Sequence, residues 1–369
     1  MRIPLTGKLL IAAAALVLLM GIALSFLHKT PQPSPNQPEA LKEVSERRQL
    51  STSVQPTAHE DSSARPTQQQ IDEGLTGLPK VPRVKVEEYV THHNRDAASL
   101  LAAFRETGDT NYLYEAATNF AGNPQVQLAI LARDVFPGER RKWLDAFKES
   151  SSGNSLANYL SAQDHFKNGQ PDAAIKELLE ASGKPQFTDY SMESYLGAEE
   201  LSRFGGLSPM MANTAAMAAM AGDLLPELAN MKGVANGILE AQKPYVNSGD
   251  AASVANLSEM GVNLADRLTT GEGGRFVINQ LVGIATESIA LKSLNQTEPY
   301  DFLGGKTPAQ RLDELKQQKV SFRELTATLQ PSFYSLPEAE QNSYIDRVKI
   351  YGEVAAMRWL QQRYGTNAR

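Results

Sequence analysis

The sequence predicts an all-α protein, in which αα-hairpins form a superhelix and a further helical bundle follows. Apolar residues recur every three or four positions from about residue 96 to residue 364, and no convincing alternating strand pattern follows residue 90. An N-terminal transmembrane helix and a disordered linker are predicted before the helices. The predicted segments are an anchor or signal segment, a linker, the hairpins and a C-terminal helical region, over residues 1–29, 30–90, 91–205 and 206–369.

Composition limits the classes of function. The chain has 369 residues, a net charge of −6 and no cysteine. A net negative charge argues against a protein that neutralises many phosphates, so no nucleic-acid partner is expected. Without cysteine there are no disulfides, thiolate metal sites or cysteine nucleophiles.

The N-terminus predicts the compartment. Arg2 and Lys8 precede Leu9–Leu27, a run of nineteen uncharged residues. As a helix this run is about 28 Å long, close to the roughly 30 Å hydrocarbon core of a bilayer. A cleaved signal peptide is the alternative, but its apolar region is usually shorter. The basic N-terminal flank predicts a single-pass protein whose C-terminal domain is extracytoplasmic, and periplasmic in a Gram-negative bacterium.

Residues 30–90 are expected to be a flexible linker. Eight prolines lie between glutamine, serine, threonine and charged residues, and apolar residues are too sparse to offset the entropy of ordering. Sixty-odd flexible residues span about 40–45 Å root-mean-square, so the helical part is expected to work clear of the membrane. The stretch 83–90 alternates like a brief strand, but we expect it to lead into the first helix.

Several helix boundaries are marked in the sequence. Asp250 and Thr307 are expected to cap the helices that follow them, and Ser335 with Glu338 is typical of a capping box. Gly365 is expected to end the last helix. The apolar stripe of that last helix is predicted at Tyr344, Val348, Tyr351, Ala355 and Trp359.

The stretch 157–181 has the clearest pattern and predicts two facing helices. Gly169 and Pro171 are expected to form the turn between them, because glycine tolerates a positive φ and proline fixes its own. The residues expected to hold the two helices together are Tyr159, Ala162, Phe166, Gly169, Ala174 and Leu178.

This pattern resembles a tetratricopeptide repeat, with a small residue, an aromatic residue, a Gly turn and then A-I-x-x-L-x-x-A. It departs from the motif at Asn158, Ser161 and His165, where the motif prefers Trp, Leu and Tyr. A shift of 31 residues superimposes Gly122-Asn123 on Gly153-Asn154, and a third helical hairpin lies further upstream. The resemblance covers roughly residues 96–205 and implies a curved helical platform that recognises a protein or peptide without chemistry of its own.

Residues 206–294 do not continue the repeat. Met210, Met217 and Leu224 lie seven residues apart, with Met220 between them. Such a stripe is either core or an adaptable groove for a partner helix, and the core is the expected interpretation because apolar helical stripes usually face interiors.

No motif in the chain indicates catalysis. The five histidines form no H-E-x-x-H, and the adjacent His92 and His93 are expected to point apart. The stretch 303–307 resembles the end of a phosphate-binding loop but lacks its first glycine and a preceding strand. We therefore expect a loop, with Thr307 capping the helix that follows. The stretch 269–276 is expected to be a turn rather than an anion site at a helix start.

Charged residues are expected to be solvated. Paired carboxylates need spatial rather than sequence proximity, so Glu193, Glu199 and Glu200 stay open as candidates for acid chemistry, although no known motif supports them. The basic residues near the C-terminus, which alternate with Asp346 and Glu353, predict a solvated face and are Arg347, Lys349, Arg358 and Arg363.

The sequence therefore predicts a membrane-anchored extracytoplasmic scaffold that binds proteins or peptides, with membrane contact through residues 9–27. No catalytic, cofactor-binding or metal-binding residue is assigned, and no cofactor is expected. An α-helical hydrolase of cell-envelope material is one alternative, and a small-molecule or lipid carrier that uses the Ala/Met-rich region is another.

Overall fold

A computed structural model describes residues 80–364, with the side chains of residues 327–335 excepted. All regular elements in this range are helices, which confirms the all-α prediction. The anchor predicted at residues 9–27, most of the linker and Gly365 lie outside the described residues. Within residues 80–364, no helix has the length and apolar character needed to cross a bilayer.

The described residues form fourteen α-helices and two short 3-10 turns. The first eight helices are α1 Arg83–His92, α2 Ala97–Thr107, α3 Thr110–Asn119, α4 Pro124–Arg133, α5 Arg140–Ser150, α6 Leu156–Lys167, α7 Pro171–Ser182 and α8 Ser191–Phe204. The other six are α9 Pro209–Ser248, α10 Ala251–Thr269, α11 Val277–Ala290, α12 Pro308–Ser335, α13 Glu338–Tyr351 and α14 Glu353–Tyr364. The stretch 83–90, assigned from the sequence to the end of the linker, is therefore helical.

Helices α2 to α7 pack as consecutive neighbours: α2 on α3, α4 on α5 and α6 on α7. The α6–α7 pair has the predicted contacts, since Ala162, Ala174 and Leu178 are completely buried and Phe166 is partly buried against the core. Gly169 has the expected positive φ of 69° in the turn. These small and apolar residues hold the two helices together, as the sequence pattern predicts.

Asn158 and Ser161, which depart from the repeat motif, form a buried polar contact across the same pair of helices. Asn158 Nδ2 and Ser161 Oγ donate to the two carboxylate oxygens of Glu177 at 2.7 and 2.8 Å, and Lys148 Nζ donates at 2.8 Å. Burial alone would raise the pKa of Glu177, but these hydrogen bonds hold it below its ordinary value. The polar residues at 158 and 161 are thus explained by a buried carboxylate to which they donate hydrogen bonds, while Lys148 balances its charge.

Helices α8 and α9 cover the first helix of each pair. Helix α8 packs on α1 and α2, while the 40-residue helix α9 lies against α4, α6 and α8. The approach of α9 to α6 is close, because a Cβ at Gly233 would meet Gln163 and a Cβ at Gly237 would meet the Phe166 ring. The surface that a partner helix would be expected to occupy is therefore filled by α9 of the same chain.

The methionine stripe belongs to the core, as expected. Met220 and Leu224 are buried, and Met210 and Met217 pack partly buried against the core cluster. Helix α9 continues through Pro226 and Pro244 without a break. Because the helix is long, its apolar surface is divided among several neighbouring helices.

Two predictions about the C-terminal helices are wrong. Helix α12 extends through Ser335 and α13 begins at Glu338 after Pro337, so Ser335 does not start a helix. Gly352 separates α13 from α14, with φ 86° and ψ 163°. The predicted apolar stripe is interrupted there, and Tyr351 is 64% exposed.

Candidate functional site

A crevice of about 410 Å³ lies where α7, the end of α9 and α10 meet. Its apolar walls are formed by Ile175, Leu179, Tyr245, Leu257 and Met260. Leu179 is 58% exposed although it is a large aliphatic side chain. We call this site the apolar crevice.

Polar side chains surround the apolar crevice: Ser182, Ser253, Asn256, Glu259 and Asn263. An apolar centre with a polar rim is the usual anatomy of a protein–protein contact, in which a few central side chains supply most of the binding energy. Val246, which follows Tyr245 in sequence, is also 49% exposed. The geometry therefore suits the insertion of an apolar side chain from another protein.

The sequence contains a weak signal for this crevice. Helix α7 has apolar residues at Ala174 and Leu178, which face α6, and also at Ile175 and Leu179. Its apolar surface is wider than one buried interface requires. The additional i, i+4 pair, Ile175 and Leu179, lines the crevice.

A second concavity, of about 1060 Å³, lies between α10 and α11 on one side and α12 and α14 on the other. Helix α12 is anchored at its base by Arg311, whose guanidinium donates to both carboxylate oxygens of Glu287 at 2.6 and 2.9 Å. Lys306 Nζ bonds both oxygens of Glu314 at 2.7 and 2.9 Å. We call this site the polar groove.

In the polar groove, Glu287 is the carboxylate that most resembles the acid of a hydrolase, because it is buried, with 6% of its surface exposed. Both carboxylate oxygens of Glu287 are occupied as acceptors of hydrogen bonds from the Arg311 guanidinium, and these bonds raise the pKa of Arg311. This pair supports the position of α12 rather than acid catalysis.

The three glutamates considered for acid chemistry do not converge. Glu199 is buried and bonds Lys349 Nζ at 2.7 Å and Arg203 at 2.7 Å, which ties α8 to α13. Glu200 faces the surface near α1, where it accepts from Tyr89 at 3.1 Å. Glu193 is exposed. Lys349 was expected on a solvated face, but its side chain is only 18% exposed because it pairs with Glu199.

Among residues 80–364, the contact between His93 and Glu200 is the one that joins a histidine to these glutamates. His92 and His93 were expected to point apart, yet their ring centroids lie 5.4 Å apart in an edge-on arrangement. The local reason is the end of α1, where His93 is the C-cap. His93 Nε2 lies 3.6 Å from Glu200. No group of three or more His, Asp or Glu residues among positions 80–364 is arranged to hold a metal ion.

The two glycine-containing loops are structural, as expected. Thr307 Oγ1 accepts from the backbone N–H of Gln310 at 3.2 Å and so caps α12. The start of α11 is occupied by Glu353, whose carboxylate accepts from the Val277 N–H at 2.8 Å. Glu353 is 5% exposed, so its expected place on a solvated face is wrong. A carboxylate from the chain itself takes the position that an anion would occupy.

Glu227 is a buried carboxyl group in the middle of α9. It is 5% exposed, and its Oε2 has no hydrogen-bond partner among the described residues. Burial raises the pKa of Glu227 well above its ordinary value, and the nearby charges of Asp189 and Asp223 act in the same direction. The folded state therefore favours the neutral carboxyl.

The Glu227→Gln variant is expected to be more stable than the parent chain at high pH only. Because folding raises the pKa of Glu227, its contribution to stability is complete at low pH. It is lost as the pH rises from about the ordinary value of 4.5 through the folded value. The advantage of the variant should grow by about 1.4 kcal/mol per pH unit across that window. Urea unfolding at pH 4, 6 and 8 measures it.

The exposed Glu240 on the same helix provides the control for this variant. Glu240→Gln should change the free energy of unfolding by less than about 0.5 kcal/mol at each pH. A Glu227→Gln advantage of equal size at all three pH values would contradict a raised pKa of Glu227.

No protein-family model matches this chain, and comparisons with curated proteins and with solved structures find no similar protein.

Proposed function

We propose that this protein is a membrane-anchored extracytoplasmic scaffold that binds a protein partner at the apolar crevice. The observation that carries the proposal is the large exposed side chain of Leu179 in an apolar depression with a polar rim. Exposed aliphatic surface in a concave site is stabilised when a partner removes it from water. The helices themselves are held by internal contacts and supply a rigid support for this surface.

The proposed anchor and linker would raise the local concentration of the scaffold near its partner. As a helix, the apolar run Leu9–Leu27 would be long enough to span a bilayer, and the linker predicted from the sequence would provide reach. A tether raises the effective concentration of the binding site near its partner, so a modest contact area is sufficient for association. The tetratricopeptide-like platform remains part of this proposal as the support of the crevice, since α9, whose end lines the crevice, lies against α4 and α6.

Site-specific photo-crosslinking tests the proposed function. A photo-reactive amino acid replaces Leu179 in the full chain, which is expressed at its natural level in its own cells. We expect a discrete protein adduct at this position. The control position is Lys142 on α5, whose side chain is 71% exposed, and no adduct is expected there.

A substitution variant makes the same test quantitative. Leu179→Asp places a charge in the apolar crevice and should weaken binding of the crosslinked partner at least about tenfold, the effect of losing roughly 1.4 kcal/mol. Lys142→Asp is the matched control and should bind as the parent chain does. Adducts only with lipid or small molecules, or turnover of cell-envelope polymers without a protein adduct, would contradict the scaffold and favour the carrier or the hydrolase.

A further inference from the structure

The polar groove has a lining rich in side-chain amides. Gln280 comes from α11, Gln317 and Gln318 from α12, and Gln361 from α14, so amides face the groove from three helices. A glutamine amide both donates and accepts hydrogen bonds. A ligand that presents donors and acceptors in alternation is therefore the best match to these walls.

The charges of the groove are largely balanced. Its lining contains four carboxylates and three basic groups, and two of each are joined in the Glu287–Arg311 and Glu314–Lys306 pairs. Strongly anionic ligands such as phosphates need an excess of positive charge. The balance of charge favours a neutral ligand.

The groove also has an apolar part, which we call the apolar strip: Phe322 and Leu325 of α12. Leu315 of α12 and Ile284 of α11 line the groove beneath it but are buried, and Thr269, Thr270 and Ser321 add hydroxyl groups. From Arg311 to Leu325 the helix rises about 21 Å, at roughly 1.5 Å per residue. About six residues of extended polypeptide cover this distance at roughly 3.3 Å each.

We propose that the polar groove binds an extended, mostly neutral polypeptide segment of about six residues. The amides of Gln317, Gln318 and Gln361 pair with its backbone N–H and C=O groups, which need partners when water is removed. Alternate side chains of an extended chain point to the same side, so the one or two side chains of the segment that face the apolar strip are themselves apolar. This site is separate from the apolar crevice and does not depend on it.

The test uses the full chain in detergent and a display library of random twelve-residue peptides. Selection should enrich mostly uncharged segments that carry one or two apolar residues at alternate positions. Binding of an enriched peptide, followed by fluorescence anisotropy, should weaken at least tenfold in the Gln318→Ala/Gln361→Ala variant. Gln362→Ala is the matched control, because Gln362 is the exposed neighbour of Gln361 outside the lining, and it should bind as the parent does.

A proline scan of the enriched peptide tests recognition of the backbone. Proline removes an N–H donor, so substitutions at alternate positions should abolish binding while those between them are tolerated. Leu179→Asp should leave peptide binding unchanged, which separates this site from the apolar crevice. The proposal is overturned if no peptide is enriched, if the double glutamine variant binds as well as the parent, or if soluble cell-wall oligosaccharides bind at the groove in place of peptides.

Discussion

Replacement of Asp223 by alanine is expected to lower the free energy of unfolding by about 3 kcal/mol, the lower end of the range for removal of one partner from a buried ion pair, because this pair is largely buried. Asp223 on α9 accepts from Arg105 of α2, from Arg133 of α4 at 3.1 Å and from Ser194 Oγ of α8 at 3.1 Å. Four helices therefore meet at one carboxylate. The measurement is equilibrium urea unfolding followed by circular dichroism.

The size of this effect follows from the burial of Arg105, whose side chain is only 9% exposed. Without Asp223 its guanidinium keeps a full charge away from water, and an arginine does not escape by losing its proton. The loss of several kcal/mol is a large part of the 5–15 kcal/mol that stabilises a typical folded protein.

Two control variants on α9 identify the cause. Glu240 pairs with Lys243 on the surface, with side chains 65% and 63% exposed, so Glu240→Ala should cost less than about 1 kcal/mol. Asp223→Asn keeps an oxygen acceptor but removes the charge and should fall between the two alanine variants. If Asp223→Ala and Glu240→Ala lose the same stability, the four-helix contact does not stabilise the fold.

Local signals in the sequence predicted several helix boundaries correctly. Asp250 caps α10 by accepting from the Ser253 N–H at 3.0 Å, and Thr307 precedes α12. The turn at Gly169 and the start of α7 at Pro171 also agree. Each of these depends on residues within four positions of one another, so the pattern of the sequence contains the necessary information.

Contacts between distant residues were not predictable in this way. The path of α9 across α4 and α6 depends on which helices leave space for it. The need for glycine at positions 233 and 237 is visible only in the structure, where a Cβ would meet the side chains of Gln163 and Phe166. Glu353 looked like part of a solvated face because its partner, the Val277 N–H, lies 76 positions away in the chain.

The residues of the two candidate sites also differ in how far the sequence predicts them. Leu179 gave a partial signal, because a second apolar pair on α7 exceeded what packing on α6 requires. The glutamines of the polar groove gave no signal, because Gln361 and Gln318 come to line the same groove only through the arrangement of α12 and α14. Exposed glutamines on helices are ordinary surface residues until the fold brings them to one concavity.

The joint between α13 and α14 depends on the backbone conformation of one glycine, Gly352. Gly352 has φ 86° and ψ 163°, a region that is essentially limited to glycine. Around it, Arg275 O accepts from the Glu353 N–H at 2.7 Å and Arg275 Nη2 donates to Lys349 O at 2.6 Å. A Cβ at position 352 would lie 3.0 Å from Arg275 O.

Gly352→Ala is therefore expected to lower the free energy of unfolding by about 2–4 kcal/mol, from backbone strain and from the crowded carbonyl together. Gly249→Ala is the control, because Gly249 also has a positive φ, 73°, but no atom lies within 4 Å of its Cβ position. Its cost should stay near 1–2 kcal/mol, that of the left-handed conformation alone. Urea unfolding of both variants measures the difference. Equal losses would mean that neither the glycine-only backbone region nor the Arg275 carbonyl constrains the joint, and a smaller loss for Gly352→Ala would mean that the backbone there relaxes freely.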